Sequence, residues 1–246
     1  MAREKLEIMI EGGQILGYIL KEIKQALEPG IKTKNLDDLA KRLCLKYKVR
    51  PSFLGYMGYP AAICISIDDE VVHGIPSEKI IKETDLISID FGVYHDGYHV
   101  DAAFSYTFDR FDLVKNNLIK TAKDAFGVAV DQIKPGVRVG DIGFAIQQFV
   151  EKKGFGVVRS LVGHGVGKEL HEEPLIPNFG QKGTGAIIKK GMTIAIEPMI
   201  TSGGYDVFQE SDGWTYKTCD SSWAAHYEQT IFVDEKSVHI LTVLPD

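Results

Sequence analysis

The sequence predicts an α+β protein built from two similar halves, with a site where they meet. Three observations carry this reading. The segment Ile80-Ile81-Lys82-Glu83-Thr84-Asp85-Leu86-Ile87-Ser88-Ile89-Asp90 resembles Ile187-Ile188-Lys189-Lys190-Gly191-Met192-Thr193-Ile194-Ala195-Ile196-Glu197. Each reads as an apolar strand ending on a carboxylate, at a constant offset of 107 (187 − 80 = 197 − 90). Helix stops recur at Pro29-Gly30 and Pro135-Gly136, an offset of 106. Each half also supplies a second acid on a further strand, Asp101 in the first and Glu228 in the second. The repeat is far longer than a solenoid unit of about 20–50 residues. No Ser/Pro/Gly-rich linker divides the halves, so a single domain over residues 1–246 is expected, with pseudo-repeats of about 1–110 and 111–246.

Each element follows from local pattern. Leu6, Met9, Ile10, Leu16, Ile19, Leu20, Ile23 and Leu27 recur roughly at helical spacing and predict a helix over 3–27, stopped by Pro29-Gly30. Leu36, Leu39, Leu43 and Tyr47 share one face of a second helix over 36–47. A loop rich in Gly, Pro and Tyr covers 55–60, and strands follow at 63–67 and 86–94. Asp96-Gly97 signals a two-residue hairpin turn, with a return strand over 98–108. The second half repeats the order with helices over 113–133 and 141–152, then strands over 156–162 and 192–200.

At 246 residues the chain can bury a substantial core, and 44% hydrophobic with 25% charged residues is ordinary for a soluble protein. A net charge of −6 argues against nucleic acid as the main partner. Cys44, Cys64 and Cys219 are odd in number and lack a CxxC pair, as expected of reduced thiols in a reducing compartment. The first residues are charged and lead into no long apolar run. No signal peptide or membrane span is expected, and the expected location is the cytoplasm.

The acids carry the chemistry. With Asp96 and Gly97 as the loop, paired positions sum to 193, so Asp90 lies opposite Ala103. Asp101, two residues along the same strand, shares that face as a diagonal neighbour at roughly 7–8 Å. Carboxylates that converge without a cation repel one another and hold their protons. Four of them in matching places, Asp90, Asp101, Glu197 and Glu228, point to a divalent metal site. His164, in Gly163-His164-Gly165-Val166-Gly167, adds one nitrogen donor between glycines that allow close approach and unusual dihedrals. That donor set suits Mn, Fe, Co or Zn rather than a structural zinc, which favours cysteines. The glycines are not a phosphate loop: they lack the Lys-Ser/Thr ending and do not fit GxGxxG.

The chain resembles the type I methionine aminopeptidases of the pita-bread fold. The resemblance covers nearly its whole length and rests on Gly58-Tyr59-Pro60, His73-Gly74-Ile75-Pro76, Ile89-Asp90 with Asp101, the glycines around His164, His171-Glu172-Glu173-Pro174, the run from Gly191 to Met199, Asp212-Gly213-Trp214 and Glu228. It implies two pseudo-symmetric halves around a central curved antiparallel sheet, holding two divalent ions (Co, Mn, Fe(II), Zn or Ni). Their ligands would be Asp90, Asp101, His164, Glu197 and Glu228, with Asp101 and Glu228 bridging. Glu197 would shuttle the proton of a metal-bridged water. His73 and His171 would hold the scissile peptide and stabilise the oxyanion. Phe53, Tyr56, Tyr59, Cys64, Leu170 and Trp214 would line a pocket for methionine, whose thioether suits aromatic and sulfur-bearing walls.

The implied reaction removes the initiator methionine from nascent polypeptides with a small second residue, near the ribosome exit, by a monomer with no membrane or direct nucleic-acid role. The chain's own Met1-Ala2 would qualify as substrate. The likeness is to bacterial-type members, without an amino-terminal zinc-binding extension or a long type II insertion. Departures fall at four places. Phe53 stands where the family often has cysteine, and Leu170 where it has phenylalanine. Ala225-His226-Tyr227-Glu228-Gln229-Thr230 stands where Ala-Gln-x-Glu-His-Thr is common, and Trp223 is unusual. Alternatives are a pita-bread peptidase cleaving before proline and a non-catalytic pita-bread binding protein. A dimetal phosphate-ester hydrolase would want more histidines or a basic clamp.

Overall fold

A computed structural model describes residues 2–245; Met1, and with it the self-processing bond Met1-Ala2, lies outside the described residues. Four helices form, α1 (Ala2–Gln25), α2 (Thr33–Tyr47), α3 (Leu113–Gln132) and α4 (Val139–Lys152). Two start on acidic side chains. The Asp112 carboxylate accepts the backbone N–H groups of Val114 and Lys115 at 3.1 and 3.0 Å, satisfying donors that the first turn of α3 leaves free. At α4 the Asp141 carboxylate reaches back to the N–H of Arg138 at 3.1 Å.

The central sheet has nine strands, β1 (Arg50–Pro51), β2 (Cys64–Ile67), β3 (Leu86–His95), β4 (Tyr98–Thr107), β5 (Val162–Gly165), β6 (Glu172–Pro177), β7 (Thr193–Ile196), β8 (Glu228–Val233) and β9 (Val238–Ile240). Its order is β1-β3-β4-β8-β7-β5-β6, with β2 also on β3 and β9 on β8, all antiparallel. The turn between β3 and β4 has positive φ at both Asp96 (43°) and Gly97 (94°), and pairs Asp90 with Ala103 as expected.

Strand alternation separates two faces. Ile87, Ile89, Phe91 and Val93 of β3, with Ala102 and Phe104 of β4, pack in one buried cluster with Leu16, Leu20 and Leu36 from α1 and α2. Ile194 and Ile196 of β7, with Ile231 of β8, pack in another with Ala122, Ile142 and Ile146 from α3 and α4. Asp90, Asp101 and Glu228 are of opposite parity along their strands, so they project from the other face.

The two halves repeat at atomic detail. Gly30 N–H donates to Ile81 O at 2.8 Å, and Gly136 N–H to Ile188 O at 2.9 Å. Isolated bridges join Lys32 to Ile80 and Arg138 to Ile187.

Three expected strands differ. The repeat segment 80–85 has only the isolated bridge at Ile80; pairing in β3 begins at Leu86 and runs through Asp90 rather than ending there. The strand expected over 156–162 shrinks to Gly156–Val157, in a small sheet with Met199–Thr201 and Ala224–His226. Consequently His164 lies inside β5, not after a strand. The strand expected over 192–200 breaks at Glu197-Pro198, because Pro198 has no N–H to donate to the ladder.

Candidate metal centre

Register across the sheet assembles the site in two neighbouring rows. In the first, Cys64 opposes Asp90, Asp90 opposes Ala103, and Ala103 opposes Glu228; Glu197 follows Ile196, the partner of Gln229. In the second, Gly92 opposes Asp101, while Ala195 opposes both Thr230 and His164. Small residues (Ala103 and Ala195) sit between the acids and the histidine, which leaves room for the longer side chains to converge above them.

His164 is oriented from both ends. Its Nδ1 lies 2.8 Å from the carbonyl oxygen of Gly165, which only accepts, so Nδ1 carries the proton. The lone pair of Nε2 then faces Asp101 Oδ2 and Glu197 Oε1, each at 3.6 Å. The flanking glycines serve close approach alone. A Cβ at Gly163 would stand 2.4 Å from Ala195 O, and one at Gly165 2.3 Å from Glu173 O. Neither these two nor Gly167 has the positive φ that the sequence reading allowed for.

Burial, with added repulsion from Asp101, holds Asp90, Glu197 and Glu228 well above the usual carboxylate range. Burial also lifts Asp101 to about 6 and pulls His164 down to about 4. Asp90 Oδ1 is buried with no hydrogen-bond partner. Such a cluster is costly until a cation neutralises it. Asp101, His164 and Glu228 each offer a donor atom within 4.8 Å of the others, and so do Asp90, His226 and Glu228.

These acids face one cavity of about 210 Å³, lined by all thirteen sequence-predicted site residues and by Met57. Phe53, Tyr59, Cys64 and Leu170 form its buried apolar wall, with Tyr56 and Trp214 packed against them. Tyr59 meets Trp214 edge-on at 5.1 Å, and its hydroxyl lies 3.2 and 3.1 Å from the carbonyls of Ile63 and Gly74. Cys64 is a free, buried thiol that burial pushes well up, unsuited to act as a nucleophile.

His73 holds φ at +60°, a left-handed conformation that costs energy and recurs at functional sites. Burial lowers its imidazole to about 4, keeping it neutral. His171 stands exposed at the mouth, with Nδ1 2.8 Å from the Tyr56 hydroxyl and its ring edge-on to His164 at 4.3 Å.

Sequence reasoning did not place His226, Thr230 or Met57 among the site residues. His226 comes 3.6 Å from Glu197 and 3.8 Å from Glu228, and it shares strand parity with Glu228, the one signal that could have found it. Thr230 touches Asp101, and Met57 has no pattern of its own.

Residues 7–235 match metallopeptidase family M24. The chain is 44% identical over 240 residues to a methionine aminopeptidase of Clostridium acetobutylicum, covering 97% of this chain and 96% of the relative. It is 42% identical over 238 residues to methionine aminopeptidase 1 of Bacillus subtilis, covering 97% and 96%. The crystal structure of methionine aminopeptidase from Thermotoga maritima superposes with a TM-score of 0.94 at 42% identity, over 97% of this chain and 96% of that one. The acids and His164 all fall within the matched span, on a fold shared nearly end to end, and the chain belongs to metallopeptidase family M24.

Proposed function

We propose that the chain, working as one catalytic domain, is a metalloaminopeptidase that hydrolyses the first peptide bond of polypeptides beginning with methionine and a small second residue. The observation that carries this reading is one cavity lined both by a buried acid–histidine cluster and by a small aromatic and thiol wall. A methionine side chain fits the second wall while its amino end and first peptide group reach the first.

The residues present fit divalent metal: carboxylates that burial holds above their usual range, an orphaned Asp90 oxygen and a histidine with its Nε2 lone pair free. Asp90, Asp101, His164, Glu197 and Glu228 would hold two ions, drawn from Co, Mn, Fe(II), Zn or Ni. When bound, such ions supply Lewis acidity, polarising a carbonyl and lowering the pKa of water. Glu197, at the break after β7 and held above the usual carboxylate range, takes up a proton and returns it to the leaving amine. His73, kept neutral, donates from its ring toward the peptide, and His171, oriented by Tyr56, supports the developing oxyanion. Phe53, Tyr56, Tyr59, Cys64, Leu170 and Trp214 close around the methionine side chain and exclude water.

The substrates are then nascent chains near the ribosome exit, met by a monomeric enzyme in the cytoplasm. No helix among the described residues is long and apolar enough to cross a membrane.

The test is methionine release from Met-Ala-Ser and Met-Leu-Ser by metal-free protein titrated with Mn, Co or Fe(II). Metal-dependent cleavage of the first peptide only, lost in Asp101→Ala, is the expected result. Folded protein that turns over neither peptide with any metal would overturn the reading.

A further inference from the structure

The four acids and one histidine of the proposed centre leave one buried nitrogen in their midst without a role. His226 is 2% exposed, and its Nε2 makes no hydrogen bond. That nitrogen lies 3.6 Å from Glu197 Oε2 and 3.8 Å from Glu228 Oε2, beyond hydrogen-bond length and across a gap of the kind an ion bridges. Donor atoms of His226, Asp90 and Glu228 all lie within 4.8 Å of one another, and Asp90 carries an orphaned buried oxygen of its own, Oδ1. Two unpartnered buried polar atoms within one acid–histidine group need an explanation, and a shared cation supplies it.

The backbone holds His226 in this pose. Ser105 Oγ accepts the His226 N–H at 2.8 Å and donates to the His226 carbonyl at 2.9 Å. Ser88 Oγ lies 2.7 Å from Ser105 Oγ, so this hydroxyl is fully engaged. The residue ends the short strand Ala224–His226, pairing with Met199, and the chain breaks at Tyr227 before β8 begins at Glu228.

We propose that His226 is a sixth protein ligand of the metal centre, binding through Nε2 on the side of Asp90 and Glu228. This rests on the metal-centre reading above. It assigns each ion one imidazole, His164 to one and His226 to the other, where the resembling family commonly has glutamine at the second position. A histidine there makes the second site richer in nitrogen, which favours ions later in the first-row series.

Affinity alone cannot test this, since losing a residue that merely supports a ligand also weakens binding about 10–100-fold. The discriminating readout is proton NMR of protein loaded with two equivalents of Co(II), in H₂O and D₂O. Each coordinated imidazole contributes one exchangeable, strongly shifted ring N–H. Wild type is expected to show two such signals, His226→Gln one, and His164→Gln the other, with circular dichroism confirming that each variant is folded. A single signal in wild type, unchanged in His226→Gln, would overturn the assignment while leaving the metal centre intact. If calorimetry detects no Co(II) binding by wild type, both the assignment and the metal-centre reading fall.

Discussion

A single hydroxyl, that of Thr230, meets Asp101 at three atoms. Its Oγ1 accepts the Asp101 N–H at 3.1 Å and lies 2.9 Å from Asp101 O and 3.1 Å from Asp101 Oδ1, where its proton is donated. This holds the aspartate at the junction of β4 and β8, between the two halves of the sheet. Thr230→Val keeps the shape and removes the hydroxyl. We expect metal affinity to fall by about 10–100-fold, read by calorimetry, with the fold retained. Unchanged affinity would mean that Asp101 is positioned by its strand alone.

Metal-free protein should lose thermal stability as pH rises above neutrality. Asp90, Asp101, Glu197 and Glu228 have folded-state values raised above the ordinary 3.8 and 4.5. Their contribution is complete below those ordinary values and is lost as pH rises through the raised ones. His73, His164 and His226 run the opposite way: lowered from 6.5 to about 4, 4 and 3, they contribute above 6.5 and lose that contribution as pH falls. Between about pH 7 and 8 the histidine contribution is nearly flat and Asp101, at about 6, has already lost its share, so Asp90, Glu197 and Glu228, held well above their usual range, set the slope. Calorimetric scans should show Tm falling over that range without metal and holding level with saturating Mn(II). A level or rising Tm in the metal-free protein would count against the raised carboxylates.

Phe53 and Leu170 belong to one apolar wall, and their sizes should be coupled. Leu170→Phe overfills the cavity and Phe53→Cys opens it, so each alone should lower kcat/KM on Met-Ala-Ser. The double variant should recover much of the loss, with a coupling of roughly 0.5–3 kcal/mol. Strict additivity would show that the two side chains do not share the volume.

His171→Ala should lower kcat by about 10²–10³-fold if it supports the oxyanion, with little change in KM or in metal stoichiometry. Tyr56→Phe, which frees His171 Nδ1, should lower kcat by a smaller factor. An effect confined to KM in both variants would recast His171 as a binding residue.

Much of this was readable from the chain because a two-residue turn sets register for everything after it. Asp96-Gly97 fixed Asp90 against Ala103, and the alternation of apolar residues fixed which face each acid takes. What stayed hidden depends on breaks in continuous apolar runs. Residues on both sides of Glu197-Pro198 are buried, so hydrophobicity gave no sign that β7 stops there and a different sheet starts at Met199. Short strands such as Glu172–Pro177 and Val238–Ile240 are held by pairing with the strand just before each in sequence, and their own composition did not mark them. His226 shows the same limit: its significance comes from Glu197 and Asp90, which only the folded sheet brings near.

The first helix carries a notch. A Cβ at Gly13 would stand 1.9 Å from Leu241 O, and one at Gly17 2.5 Å from Val243 O, so only glycines let the late segment lie against α1. Leu241 and Phe232 are members of the core that α1 helps to form, and Leu241 follows Gly13 by 228 positions (241 − 13). During synthesis, which runs from the amino end, that flank of α1 stays uncovered until residues 241–243 have been made. The same partial product holds Asp90 and Asp101 long before it acquires Glu197 and Glu228. Translation order therefore makes sealing of the first core and completion of the acid cluster late, nearly simultaneous events, and a chain cut short before residue 241 would carry a bare helix face for quality-control proteases to find.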